Sequence, residues 1–234
     1  MVAMRRDVKP SGEVRLRVIR GGGTPLPKKP ARIRVLDVLR DGFPGFGLPR
    51  EVFRYRLRNC WRLLGPLLKL AIGNRLKLSF VVAQLRLTVV RANGEVVPLG
   101  LASMRVVTTA GVNFIVDAFQ NLVEVENLKF HGIGTGGTAE AVGDTTLVTE
   151  LTTQYNPDNT RATGSTTEGA SANIYRTVGT NTVDAAAAIT EHGIFSQAAT
   201  GGGTLLDRSL FSVINLANGD SLQSTYDLTV NSGG

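Results

Sequence analysis

Positive charge is crowded into one half of this chain. Residues 1–105 hold 22 Lys and Arg against 6 Asp and Glu, and residues 106–234 hold 4 against 13, so a first half at +16 precedes a second half at −9 and the whole carries +7. A segment this basic repels itself and gains most from an acidic surface. Nucleic acid, an anionic membrane and an acidic protein all supply one, and so does self-assembly in which the basic half of one copy lies on the acidic half of the next.

The remaining composition narrows the class. At 234 residues and 42% hydrophobic the chain can bury a core without a covalent staple, and its single cysteine, Cys60, excludes both an internal disulfide and a four-cysteine zinc site. Twenty-seven glycines and only 6% aromatics suit short strands and frequent turns rather than a helical bundle. Met1 to Arg6 is basic, but no apolar stretch follows it as a secretory signal requires. The longest apolar region, Leu63 to Val90, is interrupted by Lys69, Arg75, Lys77 and Arg86, so no membrane span and no membrane partner are expected.

Along the chain, Val14, Leu16 and Val18 alternate with Arg15 and Arg17, the period-two pattern of a half-exposed strand. A triple glycine and Pro25, Pro27 and Pro30 end it, and Ala31 to Arg40 reads as a second basic, β-branched run. Residues 1–50 are therefore expected to form an extended basic arm ordered by a partner. In residues 51–73, Val52, Tyr55, Leu57, Trp61, Leu64, Leu67, Leu68 and Ile72 recur at helical spacing with Arg54, Arg56, Arg58 and Arg62 between them. This is a basic amphipathic helix, with a break expected near Gly65-Pro66. Alternation resumes from Leu76 to Arg91, and Ala92-Asn-Gly-Glu95 turns the chain into a hairpin with Val96 to Leu101.

From about residue 100 the pattern is that of a self-contained domain. Val112, Ile115, Val116, Phe119, Leu122 and Val123 make an apolar stripe for a helix at about residues 110–124, with Thr108 or Thr109 as its cap. Leu205 to Leu216, the turn Ala217-Asn-Gly-Asp220 and Leu222 to Val230 read as a β-hairpin. The expected fold class is mainly β: a β-sandwich or jelly-roll-like domain over residues 100–234 with one packed α-helix. An arm (1–50) and a linking region of helix and hairpin (51–99) precede it.

Few motifs carry chemistry. Gly132-Ile-Gly-Thr-Gly-Gly137 matches GxGxxG, yet no helix begins at its third glycine and no further βαβ repeat follows, so a dinucleotide site is not expected. His131 and His192 each precede a glycine and, with Glu191 or Asp144, could compose a metal site; their spacing does not require one. No Gly-x-Ser-x-Gly elbow marks a nucleophile. Glu124 with Glu126, or Asp144 with Glu150, would be candidate glycosidase pairs, but turn and strand-end capping accounts for them. No catalytic residue, cofactor or metal is therefore assigned. The stretch Arg54 to Arg62 interleaves Tyr55 and Trp61 with arginines, which fits either stacking on nucleic acid or anchoring to a protein; protein is preferred.

Several segments together resemble a family of tailed-bacteriophage virion proteins. They are Gly100-Leu-Ala-Ser-Met-Arg-Val-Val-Thr-Thr-Ala-Gly-Val-Asn-Phe-Ile-Val-Asp117, Phe130-His-Gly-Ile-Gly-Thr-Gly-Gly137, Gly143-Asp-Thr-Thr-Leu-Val-Thr-Glu-Leu151, Ile189-Thr-Glu-His-Gly-Ile-Phe195, Leu205-Leu-Asp-Arg-Ser-Leu-Phe211 and the terminal β pair. The resemblance spans roughly residues 100–230 and rests on the order and spacing of these pieces. It implies a β-rich structural module on the virion exterior, as capsid decoration or cement, or as part of a tail, collar or fibre, with no catalytic residues to carry over. The implied partners are the major capsid protein or tail and collar proteins, together with further copies of the chain. Nucleic acid bound by the basic half is the alternative. The expected interaction residues are Arg15, Arg17, Arg32 and Arg34 on the arm and Arg54, Arg58, Trp61 and Arg62 on the helix.

Overall fold

A computed structural model describes residues 3–8, 14–19, 33–104, 106–168 and 171–231. It comprises two units, residues 1–30 and 31–234. In the first, β1 (Ala3–Val8) pairs antiparallel with β2 (Val14–Ile19), in a register that sets Arg17 opposite Arg5 and Arg15 opposite Asp7.

The second unit is a β-sandwich of two five-stranded sheets. One has the order β4-β3-β12-β9-β8, from β3 (Phe80–Val90), β4 (Val96–Ser103), β8 (Ser165–Glu168), β9 (Ile174–Thr182) and β12 (Ser221–Asn231). The other has the order β5-β11-β10-β6-β7, from β5 (Val106–Val107), β6 (Phe130–Gly134), β7 (Ala162–Thr163), β10 (Ala187–Phe195) and β11 (Leu205–Leu216). All pairings are antiparallel. Strand alternation supplies the core: Leu85, Leu87, Val89, Leu99 and Leu222 of the first sheet meet Ile133, Ile189, Phe211 and Ile214 of the second in one buried cluster.

Helices close the sandwich. Helix α1 (Val35–Gly42) stands where an extended arm was expected. Its Val35, Val38, Leu39 and Gly42 follow a three-four spacing, and Asp37 in the first turn and Arg40 in the last complement the helix dipole. Val38 is buried with Leu63 and Leu101, so residues from Ile33 onward belong to the sandwich body and not to a free arm. Helix α2 (Arg50–Arg75) runs through Pro66 without the expected break. Its predecessor Gly65 has no Cβ to collide with the proline ring, which removes the usual obstacle to helical geometry before proline.

Helix α2 lies over an open edge of the sandwich. Asn59, fully buried in its middle, donates to the Ala102 carbonyl on β4 at 2.7 Å and accepts the Ser212 N–H of β11 at 2.9 Å. One side chain thus ties a strand of each sheet. Arg56 donates to the Leu99 carbonyl at 3.0 Å and to the Arg40 carbonyl at 2.9 Å. Gly100 between them has φ of 87°, and a Cβ there would collide with the Arg56 guanidinium and the Asp41 carbonyl.

Two further expectations need correction. The boundary expected near residue 100 falls inside a sheet, because β3 pairs with β12 along its whole length and β4 continues that sheet. The last two strands do not form a hairpin: β11 and β12 sit in different sheets, and the turn between them, held by Asp220 accepting from the N–H groups of Ala217 and Ala92 at 2.9 Å, carries the chain across. Asn-Gly turns signal reversal, but which sheet receives the next strand is decided by burial of Leu222 and Tyr226 on the inner face. Helix α3 (Thr109–Phe119) is shorter than expected, capped by Thr108 accepting from Gly111 at 2.9 Å and stopped where Asn121 takes φ of 58°.

Candidate interaction surface

Two faces of α2 are apolar. Val52, Tyr55, Leu63 and Leu70 face the core, while Phe53, Leu57, Trp61, Leu64, Leu68 and Ile72 recur at spacings of three and four along the opposite side and are exposed, Trp61 to 60%. At 1.5 Å per residue the outer stripe is about 29 Å long. Arg54 and Arg58, both exposed, border it together with Lys69, and Arg62 stacks over Trp61 with its guanidinium carbon 4.7 Å from the ring centroid. Beyond Ile72 the stripe runs into an open groove of about 630 Å³ whose lining includes Pro66, Leu78, Val81 and Met104.

Of the residues expected to bind a partner, Arg54, Arg58, Trp61 and Arg62 therefore share one helix surface. Arg34 lies apart at the start of α1, its Nε donating to Asp37 at 3.3 Å. Arg15 and Arg17 stand on β2 in the first unit. Arg32 lies outside the described residues. Sequence periodicity placed Leu57, Trp61, Leu64, Leu68 and Ile72 on an amphipathic helix without separating them from Val52 and Tyr55; the signal that they are outward is that the apolar positions span more of the helix circumference than one core contact can cover.

A second apolar exposure follows α3. Val112, Val116, Phe119, Leu122 and Val125 are exposed, Phe119 to 84%, because the helix sits on β11 through Gly111, Phe114 and Ile115, so that Ile115 of the expected stripe packs on the core while Val112, Val116, Phe119 and Leu122 do not. Glu124 and Glu126, both exposed, flank Val125.

Several titratable groups of the sandwich are buried in networks. On the outer side of the β6-β10-β11 sheet, covered by the segment between β6 and β7, Glu191 accepts from the N–H groups of Gly136, Val148 and Thr149 at 3.0, 3.1 and 2.8 Å and from Arg208 at 2.9 Å. Arg208 also reaches Asp144 at 2.9 Å. Burial opposes its charge, but Asp144 and Glu191 outweigh that effect and raise its pKa. Arg161 donates to Glu150 at 2.8 Å and to the Gly202 carbonyl at 2.8 Å and stacks on Phe195. Glu150, read from sequence as a strand end, and Asp144, read as a turn former, thus each neutralise a buried arginine.

Between the sheets, His131 and His192 approach with Nδ1 and Nε2 3.0 Å apart, and His131 Nε2 reaches Thr177 of the opposite sheet at 3.1 Å. Both rings are fully buried; burial draws His131 down to about 3, and burial with the neighbouring ring draws His192 well below its usual value. They are neutral rings that join the sheets. Among the described residues no group of three His, Cys, Asp or Glu side chains converges as a metal site, and no helix is long and apolar enough to cross a membrane. The glycines of this GxGxxG stretch make room for buried side chains: a Cβ on Gly134 or Gly136 would strike the Glu191 carboxylate and one on Gly132 would crowd Glu150 and Phe195, whereas Gly137 has open space. Sequence reasoning missed this ion network because pairing of residues 11, 17 and 64 positions apart leaves no local pattern.

The class defined by this architecture is a two-sheet antiparallel β-sandwich with flanking helices. No family model, no curated protein and no solved structure matches the chain.

Proposed function

We propose that this chain is a non-enzymatic structural component of a tailed-phage virion, a capsid decoration or cement protein that ties neighbouring subunits together. The observation that carries this reading is the outer face of α2, a six-residue apolar stripe bordered by arginines on a helix already fixed to both sheets. Such a face gains from a partner that offers apolar area together with carboxylates, which is the chemistry of a protein surface. A polyphosphate would neutralise Arg54 and Arg58 but leave Leu57, Leu64 and Leu68 in water, so protein is favoured over nucleic acid. The basic β1-β2 hairpin supplies a second attachment, and many copies acting together give avidity from individually weak contacts. The order of the segments quoted from residues 100–230 supports a virion exterior role. A tail, collar or fibre position is the alternative within the same class.

Quantitative mass spectrometry and symmetry-resolved imaging of purified particles test the proposal. Copies in the hundreds on the shell support decoration, about a dozen or fewer on the tail support the alternative, and absence from the particle rejects both.

A further inference from the structure

The occupant of the α2 stripe can be argued from charge and shape on this same molecule. Residues 50–77 carry eight Lys or Arg and one acid, Glu51. Their partner must be apolar and acidic. The β1-β2 unit does not qualify, since residues 1–30 hold eight Lys or Arg against Asp7 and Glu13. The face that begins on α3 does: past the exposed Val116, Phe119 and Leu122 it offers Glu124 and Glu126, both exposed, against the single cation Lys129. Phe119 and Leu122 project as knobs, and the groove at the end of the stripe, walled by Pro66, Leu78, Val81 and Met104, is an apolar recess beside it.

We propose that the α2 stripe of one copy docks on the acidic apolar face of α3 in a second copy. The contact joins two different surfaces, so every molecule carries one of each, and repetition links copies side by side. It also accounts for the opposed charges of the two halves of the chain, each half holding one side of the contact. The inference rests on reading α2 as a protein-docking surface and names the protein.

The test uses the full chain in solution without particles. Sedimentation is followed against concentration and salt, together with the emission of Trp61, the only tryptophan. Wild type is expected to associate and to shift Trp61 emission to the blue as it does so. Two variants each reverse charge on one exposed surface: Arg54→Glu with Arg58→Glu, and Glu124→Lys with Glu126→Lys. Either alone is expected to weaken association by roughly 10-fold or more through like-charge contact. Mixed in equal amounts, they restore a complex, since each retains the surface the other has lost, and combining all four changes in one chain restores self-association. A wild type that stays monomeric with solvent-exposed Trp61 emission overturns the proposal, as does undiminished association of the Glu124→Lys, Glu126→Lys variant. A blue shift with phosphatidylglycerol vesicles but not with protein concentration would assign the stripe to a membrane instead. Attachment to particles by a chain that never self-associates would reject the second copy as occupant while leaving the virion role standing.

Discussion

Asn59 on α2 accepts the backbone N–H of Ser212 on β11 at 2.9 Å, and through its amide it also holds the Ala102 carbonyl of β4. The helix that presents the outer stripe is therefore part of the sandwich and not an appendage. Asn59→Ala strands a buried carbonyl and a partly buried N–H and is expected to cost roughly 1 to 3 kcal/mol. Urea unfolding measures this, and an unchanged midpoint would show that α2 is held by apolar contact alone.

The buried and partly exposed arginines predict different costs. Arg208→Met leaves Glu191 as a fully buried carboxylate without its cation and should lower stability by about 3 to 5 kcal/mol. Arg176→Met breaks a pair with Asp227, which keeps Arg86 at 2.9 Å, and should cost less than about 1 kcal/mol. Equal losses in thermal unfolding would contradict this ranking.

Adjacent glycines are expected to respond unequally. An Ala Cβ at Gly136 would meet the Glu191 carboxylate at 2.5 Å, so Gly136→Ala must displace the network and destabilise the fold; at Gly137 nothing lies within 4 Å and Gly137→Ala should be tolerated. Comparison of melting temperatures decides it.

Acid should weaken the fold through the paired histidines. Their folded pKa values lie below the unfolded value near 6.5, so the neutral pair contributes its full stability above that pH and loses it as pH falls. Asp207, pushed up to about 7 by burial, acts oppositely: its preference for the proton stabilises the fold at low pH and is lost as pH rises from about 4 to 7. Between about pH 6.5 and 4 two histidines oppose one aspartate, so stability falls as pH falls across that range. Urea midpoints at pH 7.5, 5.5 and 4.5 should fall in that order, and His192→Leu should flatten the trend.

The sequence made the sandwich legible where one face of a strand is wet, as in β3 and β12, because period-two alternation is a local signal. It misled where tertiary contacts choose among local options. Residues Val35 to Gly42 are β-branched at their start yet become a helix, since Val38 finds Leu63 and Leu101; Asn218-Gly219 predicts a reversal but not that the chain changes sheets. At the interaction surface, the arginines and Trp61 were legible from composition and spacing. The outward stripe and the acidic α3 face were not, because helical periodicity shows that residues share a face and not which face the core takes.

The central claim is that α2 binds protein through its outer stripe. It is tested most directly by attachment of purified chain to particles lacking it, comparing DNA-free with DNA-filled shells and wild type with Leu57→Asp plus Leu64→Asp, both at exposed positions, with the variant's fold checked by thermal unfolding. Equal attachment to both kinds of shell, lost in the double variant, is the predicted result. Attachment that requires DNA, falls steeply with salt and survives the double variant would contradict it.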